Sequence, residues 1–267
     1  ERLQEKSTLI LQILKSTTDN WEETAYRWLF TCFGLKKNNE AMSELARLVP
    51  YKILQKHRDQ LPVLEAILLG QSGLLPLESE EPYVQYLIRE YDFYRKKYGW
   101  DSSMKRQHWT FMGVRPSNFP TLRIAQLAAI LSKAPNLLQA VMQDSHDFAG
   151  FKRLLKVTSS EYWQYHYSFG KPSERQTSAG ISSTVLELLV INYVVPLWFA
   201  YGRYFEESDW QERCFDLLQE ISPEKNHIIS KFQSYGWPTG NAFDSQGMIG
   251  LYKNSCQPKK CLQCKIA

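Results

Sequence analysis

Three cysteines crowd the last dozen residues: four residues separate Cys256 from Cys261 and two separate Cys261 from Cys264. Two thiolates separated by two residues can chelate one ion from a tight turn, and a third nearby leaves a tetrahedral site short of one ligand. Lys259, Lys260 and Lys265 lie among them, and neighbouring cations favour the thiolate form that metals need. The expected occupant is zinc or an iron–sulfur centre that staples the last helix to the body. The same four-then-two spacing occurs in plant-type two-iron ferredoxins, where a further cysteine follows downstream. Here the fourth ligand would come from Cys214, a histidine or solvent, and the competing reading is free thiols or an oxidised pair.

A second candidate is Arg115-Pro-Ser-Asn-Phe-Pro-Thr-Leu-Arg123. Its prolines hold the chain extended and Thr121 is placed to begin a helix, so the free amides of that start could converge with Arg115, Asn118 and Arg123 on an anion such as a phosphate. The plainer reading is an ordered connector whose arginines bind backbone carbonyls. In Asn241–Gln246, Asp244 or Ser245 reads as an ordinary N-cap for a helix over 247–254.

Much else is absent. His57, His108, His146, His166 and His227 are scattered without metal-ligand spacing. No phosphate-binding glycine loop, dinucleotide fingerprint or nucleophile elbow occurs, and nothing nominates a nucleophile with its base. Lysine and arginine exceed aspartate and glutamate by only 32 to 28, so position must carry any case for an anionic partner. Lys253, Lys259, Lys260 and Lys265 occupy a C-terminal stretch free of acidic side chains, and Arg95-Lys96-Lys97 and Lys152-Arg153 add local basic runs. Nucleic acid is the partner such runs suit, against the plainer reading of a solvated surface.

The elements that must position these residues are helical. With 267 residues, 43% of them hydrophobic, the chain can bury a full core. Apolar residues recur at helical spacing along most of it. Asp19 with Glu22 and Thr158 with Glu161 read as capping boxes, Gly34, Gly70 and Gly99 as helix stops, and Pro50 and Pro223 as a helix end and start. Tyr83, Leu87, Tyr91, Tyr94 and Tyr98 make an aromatic stripe expected to pack on a neighbouring helix. Residues 170–183 are polar and aperiodic, which predicts a mobile loop. The apolar stretch 185–205 is long enough to cross a bilayer, but Glu187, Asn192, Pro196 and Arg203 predict a buried helix, bent or interrupted near Pro196.

The expectation is an all-α, irregular multi-helix domain of about ten to thirteen helices with negligible strand. It would cover residues 1–254, divisible into lobes at 1–99 and 100–254, with a cysteine-rich tail over 255–267. An odd cysteine count and no signal-peptide pattern point to a reducing cytoplasm, and Glu1 onward reads as the cut end of a longer chain.

The stretches RPSNFPTLRIAQLAAIL, LPVLEAILLGQSGLL, EYWQYHYSFGK and NAFDSQGMIGLYKNSCQPKKCLQCKIA together resemble a bacterial family catalogued as domain of unknown function 2851. The resemblance implies an N-terminal segment like a PD-(D/E)xK nuclease core, none of whose acidic residues falls on this chain. The three tail cysteines and Arg115–Arg123 match the family pattern. The expected role is therefore a helical accessory domain of a nuclease-like protein that binds nucleic acid, with catalysis residing in the other segment. The alternative is a non-catalytic protein-interaction or structural scaffold.

Overall fold

The computed structural model describes residues 2–143, 147–177 and 179–264. The chain is 66% helical and 3% strand, an all-α fold with thirteen helices among the described residues when α10 and α11 below are counted as one.

Helix α1 (Arg2–Ser16) packs along the far helix α11 (Val195–Phe205), burying Ile10 and Leu14. Helix α2 (Trp21–Phe33) is capped by Asn20, whose side chain accepts from the Glu23 amide at 3.0 Å. The cap is not the expected Asp19, because Asp19 sits at φ 56°, outside the extended conformation a capping residue adopts. Gly34 ends α2 as expected: a Cβ there would lie 2.4 Å from the Asn38 and Asn39 backbone, so only glycine lets the chain fold tightly into α3 (Asn39–Leu48). After the short α4 (Tyr51–Gln55), α5 (Leu61–Gln71) is buried along almost its whole length and pairs with the aromatic α6 (Pro82–Tyr98). The tyrosine stripe does pack on a neighbour: the Tyr91 ring lies over Gly70, where a Cβ would come within 2.1 Å of it.

Helix α7 (Pro120–Lys133) runs through the core, followed by α8 (Leu137–Met142) and α9 (Phe148–Leu155). The second expected capping box does not form. The Ser160 hydroxyl and amide are drawn instead to the fully buried Glu65 carboxylate, which also accepts from the Tyr83 hydroxyl at 2.5 Å. Only a 3-10 turn, Glu161–Gln164, follows. Burial pushes the Glu65 carboxyl above its usual range, and the Ser160 and Tyr83 donors oppose that shift.

Residues 170–183 correct the loop expectation. Strands β1 (His166–Ser168) and β2 (Lys171–Pro172) form an antiparallel hairpin. Beyond it, the Thr177 hydroxyl donates to the Trp163 carbonyl at 2.6 Å, and Ala179 and Ile181 are buried. Polar composition disguised the anchoring, because backbone and hydroxyl groups supply it.

Helix α10 (Ser183–Leu189), a π turn (Val190–Val194) and α11 form one continuous 23-residue helix, long and apolar enough to cross a membrane, with 72% of its most apolar stretch buried in the protein. The expected interruption is the π turn, which ends two residues before Pro196, whose missing amide hydrogen removes one bond from the helical ladder. Helices α12 (Asp209–Glu220), α13 (His227–Ser234) and α14 (Ala242–Leu251) close the domain. Helix α13 starts at Asn226 rather than near Pro223, because the Asn226 side chain accepts from both the Ile228 and Ile229 amides. Helix α14 starts five residues ahead of its expected position, capped by Asn241 and not by Asp244 or Ser245.

One apolar core draws on both sides of residue 99, joining Leu64 and Leu87 to Ile124 and Leu127, while α13 and α14 share a smaller cluster around Ile229, Phe232 and Met248.

Candidate nucleic-acid interface

The first turn of α7 holds the four residues expected to converge on an anion. Pro120 occupies its first position and contributes no amide hydrogen. Thr121 is not the cap: its hydroxyl donates to the Tyr167 carbonyl at 2.5 Å and ties the hairpin to α7. Arg123 is only 3% exposed, and its guanidinium donates to Asn118 Oδ1 and, at 2.6 Å, to Gln126 Oε1. Gln126 in turn donates to the Gly180 carbonyl at 2.9 Å. Burial lowers the Arg123 pKa to about 10, and among the described residues no carboxylate bridges to it. The structure thus joins Asn118 to Arg123, sends Thr121 elsewhere and leaves Arg115 exposed. This is a neutral-amide clamp on a buried cation that locks the 116–118 turn and the 179–180 segment to α7.

At the C-terminal end, α14 runs into a second π turn (Tyr252–Cys256) and a 3-10 turn (Cys261–Gln263). Cys256 and Cys261 are exposed and Cys264 is half-buried. Among the described residues no three His, Cys, Asp or Glu side chains lie close enough to hold a metal ion. Cys214 is buried on α12, donates to the Val195 carbonyl at 3.3 Å, and burial pushes its thiol up to about 12. Lys259 and Lys260 are exposed, while Lys265 and His146 lie outside the described residues.

Lys253 belongs to a group that no local motif announces. The Leu-Lys-Lys turn after Gly34 places Leu35 and Lys36 in the left-handed region, at φ 45° and 76°. Asn38 pins this turn by donating to the Thr110 carbonyl at 3.0 Å and accepting from the Thr110 amide at 2.8 Å. Lys37 Nζ reaches the Met112 and Gly113 carbonyls, at 3.2 and 3.0 Å, two residues before exposed Arg115. On the other side Lys36 approaches Lys253, whose pKa is lowered first by burial and then by Arg2 and Lys36. Lys6 completes the group: burial and then Arg2 bring its pKa down to about 8, and its ammonium donates to Asn192 Oδ1 of the first π turn at 2.6 Å. The Cys32 thiol donates to the Asn192 carbonyl and is pushed by burial up to about 12, which leaves it protonated and unreactive at neutral pH.

Arg2, Lys6, Lys36 and Lys253 therefore gather from α1, the α2–α3 turn and the end of α14, with Glu5 and Glu224 as the opposing carboxylates that act on them. In the other basic runs one lysine each lies over an aromatic ring. Lys97 lies over the Tyr94 ring at 5.4 Å, Lys152 over Phe148 at 4.1 Å, and Lys133 caps the carbonyl of Arg153. Sequence reasoning found Lys253 but missed Arg2, Lys6, Lys36 and Lys37. The available signal was a doubled lysine one residue beyond a helix-stop glycine.

Residues 1–227 match the sequence profile of the family described as protein of unknown function (DUF2851). The chain belongs to this family. The match includes Arg2, Lys6, the Lys36–Lys37 turn and Arg115–Arg123, and it ends before α14, Lys253 and the tail cysteines. No curated protein and no solved structure matches the chain.

Proposed function

We propose that this DUF2851 domain binds nucleic acid along the basic seam that runs from Arg115 through Lys37 and Lys36 to Lys253 and Arg2, as the helical accessory part of a nuclease-like protein. The observation that carries the reading is the convergence of Arg2, Lys6, Lys36 and Lys253, with Glu5 and Glu224 the carboxylates that oppose them among the described residues. After burial, Arg2 lowers the pKa of both Lys6 and Lys253; a polyanion relieves such repulsion while releasing its own counterions. Exposed Lys259 and Lys260 extend the positive surface beyond Lys253. Catalysis belongs to the nuclease-like segment that the family resemblance implies, and the domain's share is to hold the strand.

The test is fluorescence anisotropy of a labelled single strand and its duplex across a salt series. With about four phosphate contacts, single-strand affinity falls roughly fifty-fold between 50 and 200 mM salt. Absence of binding at 50 mM salt, or binding indifferent to salt, overturns the proposal.

A further inference from the structure

We infer that the cleft beside this seam receives an unstacked base of a single-stranded nucleic acid, a deepening that rests on the nucleic-acid reading above. The cleft, of about 560 Å³, opens between α1, α11, α12, α14 and the tail, and Arg2 lines both it and the seam. Phe199 forms part of its inner wall. At the mouth, Phe215 and Phe243 stand edge to face with ring centroids 5.5 Å apart, 38% and 42% exposed. Rings left this open cost apolar exposure, and they are the surfaces on which bases stack.

The floor is equally particular. Gly247 and Gly250 lie one turn apart on α14, where glycine weakens a helix. A Cβ at Gly247 would meet nothing within 4 Å, and one at Gly250 only the Arg2 Cβ at 3.8 Å. Packing does not demand these glycines; their effect is to keep the helix bare where it faces the cleft. Around this apolar slot the side-chain amides of Gln4, Gln211 and Gln263 offer both donors and acceptors, which suits the edge of a base. Arg2 Nε and Nη1 are buried with no partner among the described residues, two donors free for a phosphate or a base oxygen.

Charge decides between occupants. An apolar peptide or lipid tail would fit the rings but gains nothing from Arg2 in the wall, on which the charge of Lys253 also acts, whereas a nucleotide uses rings, amides and cations together. Duplex bases are stacked and paired, so only a single strand can present a face to the slot.

The experiment compares three labelled probes of equal length on the full chain at low salt: an oligothymidylate, an abasic strand and a duplex. Wild type is expected to bind oligothymidylate about tenfold more tightly than the abasic strand. In Gly247→Leu, whose new side chain enters the open slot, that preference falls to about one with no loss of melting temperature. Should Gly247→Leu melt early, the Phe215→Ala, Phe243→Ala double variant decides by the same ratio. Equal affinity of wild type for the thymidylate and abasic strands, or an undiminished preference in the folded variant, overturns the base site and leaves the phosphate reading standing. Failure of wild type to bind any of the three probes overturns both.

Discussion

The first turn of α7 and the seam around Lys36 both gather positive charge, and they treat it in opposite ways. Arg123 is enclosed, and neutral amides take up two of its guanidinium nitrogens. Lys36 and Lys253 stay exposed, facing other cations. In the first region residues close in sequence diverge, one to the hairpin, one to a clamp, one to solvent. In the second, residues from opposite ends of the chain converge. A buried cation with its own acceptors is a structural rivet, whereas an exposed group of mutually repelling cations is a surface waiting for an anion.

Breaking the rivet should have the largest effect. Arg123→Ala strands the Asn118 and Gln126 acceptors in the core and opens a void, costing about 3 kcal/mol in denaturant unfolding. The folded variant should still bind a labelled strand as wild type does. A stability unchanged by the substitution would mean that the clamp holds nothing.

Removing the half-buried Lys6 charge, held against burial first and Arg2 second, should stabilise. Lys6 has a folded pKa of about 8, below its ordinary 10.5, so the unfolded chain binds that proton more tightly. The resulting penalty is fully present below pH 8 and disappears as the pH rises to 10.5. It amounts to at most about 3 kcal/mol. Losing the bond to Asn192 takes back about 1–2 kcal/mol. Lys6→Met is therefore expected to raise the melting temperature at pH 7 by a few degrees and to lose that advantage by pH 10.5. A variant that gains equally at both pH values would show that charge is not the cause.

The tail supplies the smallest effect. Cys261→Ser with Cys264→Ser alters an exposed and a half-buried position, so metal-free stability should shift by less than about 0.5 kcal/mol. If the three thiols close around a metal, anaerobic zinc raises the melting temperature of wild type and not of the double variant. Zinc that leaves wild type unmoved ends the staple idea.

Helices were legible because a 3.6-residue apolar period survives in the sequence of many of them, as with Ala41, Met42, Leu45 and Ala46 on α3. Helix starts were read less well. Asn20, Asn226 and Asn241 are the capping residues, and a cap depends on backbone conformation as much as on residue type. The convergence expected of Arg115, Asn118, Thr121 and Arg123 does not form for a related reason: spacing shows which residues are neighbours along the chain, not whether their polar groups find partners within the fold. The Arg115–Arg123 stretch looked convergent, but Gln126 and Gly180 lie beyond it and complete the clamp. The seam needs Arg2 near enough to act on Lys253, a proximity that the packing of α1 against α14 creates.

The most direct measurement is the salt dependence of strand binding in three proteins: wild type, Arg123→Ala, and Lys36→Ala with Lys253→Ala. Each lost phosphate contact should reduce the slope of log affinity against log salt by about 0.7 for a single strand. The lysine double variant is therefore predicted to lose about 1.4 from the slope, while folded Arg123→Ala keeps the wild-type value. Equal slopes for wild type and the lysine variant, or a slope lost only with Arg123, would contradict the seam and return the anion site to the start of α7.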